Sequence, residues 1–128
     1  VQTMRVTILI IDDTESAILA VRDYLEHAGY QIEVASNGHA GLHKAGQINP
    51  DLILMDVQMP EMDGLETTRL LRAQAGFQHT PIIALTAFAM SGDRERCLEA
   101  GATDYMSKPV NLKVLMNMIQ KYCKENTD

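Results

Sequence analysis

Three uninterrupted apolar runs, Ile8-Leu9-Ile10-Ile11, Leu52-Ile53-Leu54-Met55 and Ile82-Ile83-Ala84-Leu85, set the terms on which this chain can fold. A strand with one face in water alternates apolar and polar residues. A run without alternation buries both faces, as the inner strands of a parallel sheet do. Ile32 and Val34 alternate with polar neighbours, and Asp104-Tyr105-Met106 is short, so these two segments are expected near the sheet edges.

Helical patterns separate the runs. Ala17, Val21, Tyr24, Leu25 and Ala28 fall on one face, with Gly29 as a C-terminal stop. Asn37-Gly38 is a turn signal before Leu42, Ala45 and Ile48, and Pro50 lies just beyond. Leu65, Thr68, Leu71 and Ala75 make a third stripe. Cys97, Leu98 and Ala100, closed by Gly101, make a fourth. Leu112, Leu115, Ile119 and Tyr122 make the last, with Lys121 and Lys124 near its end to suit the helix dipole. Strand then helix, five times over, is the pattern of an α/β fold. The expected form is a doubly wound, five-stranded parallel sheet with right-handed crossovers and helices on both faces. The common strand order for five is 2-1-3-4-5, the flavodoxin-like arrangement, and ligands then bind at the carboxyl ends of strands 1 and 3, where the order reverses.

The 128 residues suit a single domain, with a core expected over about 6–123. No apolar run approaches the roughly 18 residues that cross a bilayer, and the N-terminus carries no secretory pattern. A cytoplasmic domain without membrane contact is therefore expected. Acidic residues outnumber basic ones by 17 to 11, and the basic residues form no stripe that would neutralise a phosphate backbone, which argues against direct nucleic-acid binding. Cys97 and Cys123 belong to no Cys-x-x-Cys pair and are expected as reduced, buried thiols. His27, His39, His43 and His79 accompany no carboxylate cluster and are expected on the surface.

The residues that follow the strands carry the chemistry. Asp12 and Asp13 follow the first run, Asp56 the second, Thr86 ends the third, and Lys108 lies just past the last strand. A single Asp at a strand end is ordinarily a helix N-cap. Three of them with a hydroxyl and an ammonium on one sheet edge make a site. Three adjacent carboxylates repel unless a cation compensates, and Lys108 with a hard divalent ion balances them. No His or Cys stands among them, so Mg²⁺ (or Mn²⁺) suits the set better than Zn²⁺. Mg²⁺ retains positions for water and phosphate oxygens, so a phosphate ligand is expected. A carboxylate nucleophile, a metal and donors for the equatorial oxygens are what in-line phosphoryl transfer requires, and Asp56, Lys108 and Thr86 can fill the protein's share.

The stretches Ile10-Ile11-Asp12-Asp13, Met55-Asp56-Val57-Gln58-Met59-Pro60-Glu61-Met62-Asp63-Gly64, Ala84-Leu85-Thr86-Ala87 and Tyr105-Met106-Ser107-Lys108-Pro109 resemble, in order, the receiver domain of two-component response regulators. The resemblance implies a phosphoacceptor domain rather than an enzyme, one that assists its own phosphorylation and dephosphorylation. Asp56 would take a phosphoryl group from a phosphohistidine on a histidine kinase or histidine phosphotransfer protein. Asp13 and Asp56 would ligate Mg²⁺ directly, Asp12 through water, and the Gln58 backbone carbonyl would be a further ligand. Lys108 and the Ala87 N–H would hold phosphoryl oxygens, Thr86 and Tyr105 would be the switch pair, and Lys108-Pro109 would be cis. Gly64 fits a position of positive φ or close approach. The stretches 87–93 and 97–101 are similar to receivers of hybrid sensor kinases, so the domain is also expected as part of a longer kinase. In the family, the positions of Gln58 and Phe88 tune how long the phosphate lasts.

Rival readings meet specific obstacles. Phosphatases of the haloacid-dehalogenase type also use an Asp nucleophile and Mg²⁺, but they place an acidic group two residues on, where this chain has Gln58. Gly41 and Gly46 have P-loop spacing without the Lys-Ser/Thr that follows it. A receiver-like interaction module that no longer switches remains the alternative, against which stands the complete set Asp12, Asp13, Asp56, Thr86 and Lys108.

Overall fold

The computed structural model describes residues 5–87 and 92–123. The expectations for Phe88 and Lys124 lie outside them. Five strands, β1 (Thr7–Ile11), β2 (Gln31–Ala35), β3 (Leu52–Asp56), β4 (Ile82–Thr86) and β5 (Asp104–Ser107), alternate with five helices. These are α1 (Glu15–His27), α2 (Gly38–Ile48), α3 (Gly64–Ala73), α4 (Asp93–Ala100) and α5 (Leu112–Tyr122). All strand pairs are parallel and the order is β2-β1-β3-β4-β5, as the apolar pattern requires.

The period-2 geometry of strands divides each apolar run between two layers. Ile8, Ile10, Leu52, Leu54, Ile83 and Leu85 face α1 and α5, where they meet Ile18, Val21, Leu25, Leu115 and Ile119. Leu9, Ile11, Ile53, Met55 and Ile82 face the other way, onto Ala45 of α2 and Leu71 of α3. A third cluster joins Val57, Leu65 and Ala84 to Cys97 and Ala100 of α4, with Tyr105 against it. Cys97 and Cys123 are free and buried, and all four histidines are exposed.

Two helix faces differ from the sequence expectation. In α1 the buried stripe is Ile18, Val21 and Leu25, whereas Tyr24 and Ala28 are exposed. The branched Ile18 takes the contact that a stripe begun at Ala17 would have left to a methyl group. Ala75 lies beyond α3, which ends at Ala73, and it is exposed. Met116, off the expected stripe of α5, packs in part against the core. The chain leaves α1 through Ala28 and Gly29, whose φ of +101° is open to glycine without strain.

At the amino ends of β4 and β5 a single side chain closes several loops. Arg72 donates from Nε to the Gly101 carbonyl at 2.8 Å, and from Nη1 to the carbonyls of Phe77 and Thr80 at 2.6 and 2.7 Å. Its Nη2 donates to Thr103 Oγ1 at 3.2 Å, and that oxygen also accepts from the Ile82 N–H at 3.0 Å. Half-buried carbonyls at loop turns thus find partners that no strand supplies.

Candidate functional site

The sheet ladder runs one residue past the ends of three strands, and this continuation fixes the polar residues. Asp12 N–H donates to the Ala35 carbonyl at 3.0 Å, Val57 N–H to Leu85 at 2.9 Å, and Lys108 N–H to Thr86 at 2.7 Å. The backbone is therefore held in the sheet ladder through Val57, just past Asp56, and up to the N–H of Lys108. Gly64 fixes the loop after Asp56 from above: its N–H donates to the Val57 carbonyl at 2.9 Å, and a Cβ there would collide with the Asp56 backbone carbonyl. The glycine serves close approach, not positive φ. Met59 and Met62 of the same loop are buried. Asp63 then caps α3 by accepting the Glu66 N–H at 2.8 Å. The Lys108-Pro109 peptide is cis.

One carboxylate oxygen from each of Asp12, Asp13 and Asp56 lies within 4.8 Å of the others. Asp12 and Asp56 are 3% and 1% exposed, while Asp13 is open to solvent. Lys108 Nζ reaches Asp56 Oδ1 at 2.9 Å and Asp12 Oδ2 at 3.4 Å. Asp12 Oδ1 accepts the Thr14 N–H at 2.9 Å, so Asp12 does assist the start of α1, although Thr14 is the N-cap residue. Capping and site membership coexist in one carboxylate.

Thr86 and Ala87 stand at the adjacent end of β4, and the Gln58 side chain, beyond the backbone carbonyl and lifetime-tuning position that the resemblance implies, holds them both. The Gln58 side chain donates from Nε2 to Thr86 Oγ1 at 3.1 Å and accepts the Ala87 N–H at Oε1 at 3.0 Å. The signal available in the sequence was its place two residues beyond a strand-end Asp. Tyr105 lies apart from the carboxylates, half-buried on β5 against the cluster of Cys97, Ala100 and Ala102.

Charge is uneven here. Burial, joined by the field of Asp12, raises the pKa of Asp56 from 3.8 to about 6 against the opposing hydrogen bond from Lys108. Burial alone would lower Lys108, but its bonds to Asp56 and the fields of both carboxylates carry it upward. With one ammonium among three carboxylates the cluster retains a surplus of about two negative charges, which a divalent cation would neutralise. All the donors are oxygens, so a hard ion fits.

Between 3.8 and about 6 the folded chain holds a proton that the unfolded chain has released. The Asp56 contribution to stability therefore falls as pH rises through that window, by on the order of 3 kcal/mol in all. With a chelator present, the excess stability of Asp56→Asn over the parent, measured by urea unfolding, should be small at pH 4 and grow to about that size by pH 7. An excess that stays constant with pH would contradict it.

The family model of the response regulator receiver domain matches residues 8–120. The polar-differentiation response regulator DivK of Brucella anthropi is 40% identical over 116 residues, covering 91% of this chain and 94% of DivK. Among solved structures, the chemotaxis protein CheY4 of Vibrio cholerae superposes with a TM-score of 0.88 at 33% identity, covering 93% of this chain and 99% of that one. The receiver domain of the sensor histidine kinase PA1611 from Pseudomonas aeruginosa, with a magnesium ion coordinated in its active-site cleft, gives a TM-score of 0.87 at 36% identity. That match covers 94% of this chain and 99% of its counterpart.

Proposed function

Since the chain belongs to the response regulator receiver domain family, the phosphoacceptor switches of two-component signalling, we propose that Asp56 is the residue that takes the phosphoryl group. The observation that carries this reading is the placement of its nearly inaccessible carboxylate against Lys108 Nζ at 2.9 Å and beside Asp12 and Asp13. No helix among the described residues is long and apolar enough to cross a membrane.

Residues 6–123 act as one receiver unit. An Asp56 carboxylate oxygen attacks phosphorus, the bond from phosphorus to the donor's imidazole nitrogen breaks, and that nitrogen recovers a proton from solvent. Lys108 compensates charge on the phosphoryl oxygens, and the Ala87 N–H supplies a further donor. Asp12, Asp13, Asp56 and the Gln58 carbonyl would hold Mg²⁺, or Mn²⁺ with the same oxygen ligands. The ion, when bound, neutralises negative charge as it develops in transfer. The same groups serve the return reaction, in which water takes the place of imidazole. Thr86 and Tyr105 answer the new charge and shift the population between two conformations.

The donor is a histidine kinase or a histidine phosphotransfer protein. A cleft between α1 and the start of α5, lined by Ala17, Ile18, Val21, Val110 and Leu112, opens beside Asp12 and Lys108 and offers such a partner an apolar foothold. Residence within a longer hybrid kinase is consistent with the likeness to the PA1611 receiver, and DivK offers the counterpart of similar length.

Intact-protein mass spectrometry after incubation with acetyl phosphate tests this reading. One phosphoryl group, base-labile and dependent on Mg²⁺, is the expected gain. A chain left unmodified by both acetyl phosphate and a phosphohistidine donor, while still binding Mg²⁺, would return the reading to a module that does not switch.

A further inference from the structure

Phosphorylation at Asp56 calls on donors at the end of β4, and one of these is already engaged. The Ala87 N–H, a single donor, is occupied by Gln58 Oε1 at 3.0 Å, while Gln58 Nε2 holds Thr86 Oγ1 at 3.1 Å. The orientation of the carboxamide is forced, because a backbone N–H must meet the amide oxygen, which turns the NH₂ toward the hydroxyl. The Gln58 backbone cannot drift to make or break these bonds. It lies between Val57, whose Cα packs under Gly64, and Met59, and both of these neighbours are buried. Only the side chain, half-exposed and with three rotatable bonds, is free to leave.

A carboxamide oxygen and a phosphoryl oxygen make the same demand on an N–H, and one hydrogen satisfies only one of them well. We propose that the Gln58 side chain is a placeholder: in the unphosphorylated protein it occupies the Ala87 donor and tethers Thr86, and it must swing away before the phosphoryl group can use them. Gln58 is thus a positioning residue that favours the unphosphorylated arrangement. This rests on Asp56 being the phosphoacceptor. It concerns the balance between two ground states, which is separate from the rate at which water removes the phosphate.

The sign of the effect separates this role from simple packing. Loss of a packing residue loosens the site and weakens phosphoryl binding, whereas loss of a placeholder strengthens it. Beryllium trifluoride, a phosphoryl mimic that forms no bond for water to hydrolyse, would be titrated into the parent, Gln58→Ala and Gln58→Leu in saturating Mg²⁺, with binding followed by ¹⁹F NMR. Alongside, hydrogen exchange at the Ala87 amide would be measured without Mg²⁺ or mimic. Given the modest net worth of neutral hydrogen bonds, affinity should rise about tenfold in both variants, and Ala87 exchange should quicken about tenfold. Equal or weaker affinity in the variants, with normal binding by the parent, overturns the placeholder whatever the exchange rate. Failure of the parent itself to bind the mimic overturns the phosphoacceptor reading, and the placeholder with it.

Discussion

Asp56→Asn, incubated with acetyl phosphate and Mg²⁺, is expected to show no phosphoryl adduct, a loss of at least about 100-fold against the parent. A carboxamide has no anionic oxygen to attack phosphorus and ligates a hard cation poorly. The same variant should unfold at higher urea than the parent at pH 7 in the presence of a chelator. Asp56 is 1% exposed and shares Lys108 with Asp12, so its ionised form is disfavoured in the fold. One substitution would then raise stability while abolishing function, which is the signature of a charge retained for chemistry. An adduct of parental yield on Asp56→Asn would place the acceptor elsewhere, with solvent-open Asp13 the next residue to replace.

Gly64→Ala should be the most damaging single methyl group that can be added near the site. The new Cβ would overlap the Asp56 carbonyl oxygen and lie 2.8 Å from its carbon and 2.9 Å from Val57 Cα. All three are backbone atoms at the junction of β3 with the loop that holds buried Met59 and Met62, and the bond from Gly64 N–H to the Val57 carbonyl fixes them there. None can swing aside as a flexible side chain would. A loss of about 3 kcal/mol in unfolding free energy is expected, at the upper end for overpacking. Phosphorylation should slow by about tenfold or more, because the displaced backbone carries the nucleophile. Gly46→Ala supplies the contrast. It sits in α2 with nothing within 4 Å of its new Cβ, and should be neutral or stabilising by about 0.5–1 kcal/mol. Equal urea midpoints for the two variants would mean that the contact over Asp56 yields more easily than its geometry implies.

Much of this molecule could be read from local pattern. The three unbroken apolar runs became β1, β3 and β4, each buried on both faces, and the alternating and short segments became the edges β2 and β5. Once a parallel sheet is granted, its carboxyl edge gathers Asp12, Asp13, Asp56, Thr86 and Lys108 without further information, because each stands at a strand end. Helix faces were less legible. Ala17 and Ile18 of α1 are both apolar neighbours 100° apart, and only the depth of the sheet below decides which of them turns inward. Least legible were polar side chains acting across the chain. Gln58 bonds residues 28 and 29 positions away, and Arg72 a residue 29 positions away, with no periodicity to announce either. Such bonds answer loop groups orphaned by the sheet, and these can be identified only when the turns are in place.

The knot of bonds around Arg72 carries a mechanical consequence for the switch. It rivets the amino ends of β4 and β5 together through Thr103, far from Thr86 and Lys108 at the opposite ends of the same strands. A strand clamped at one end and disturbed at the other behaves as a lever with a fixed fulcrum, so its displacement grows along its length toward the disturbance. Any displacement that starts at Thr86 or Lys108 is therefore expected to be largest where β4 and β5 finish and smallest at the bonds of Arg72 and Thr103.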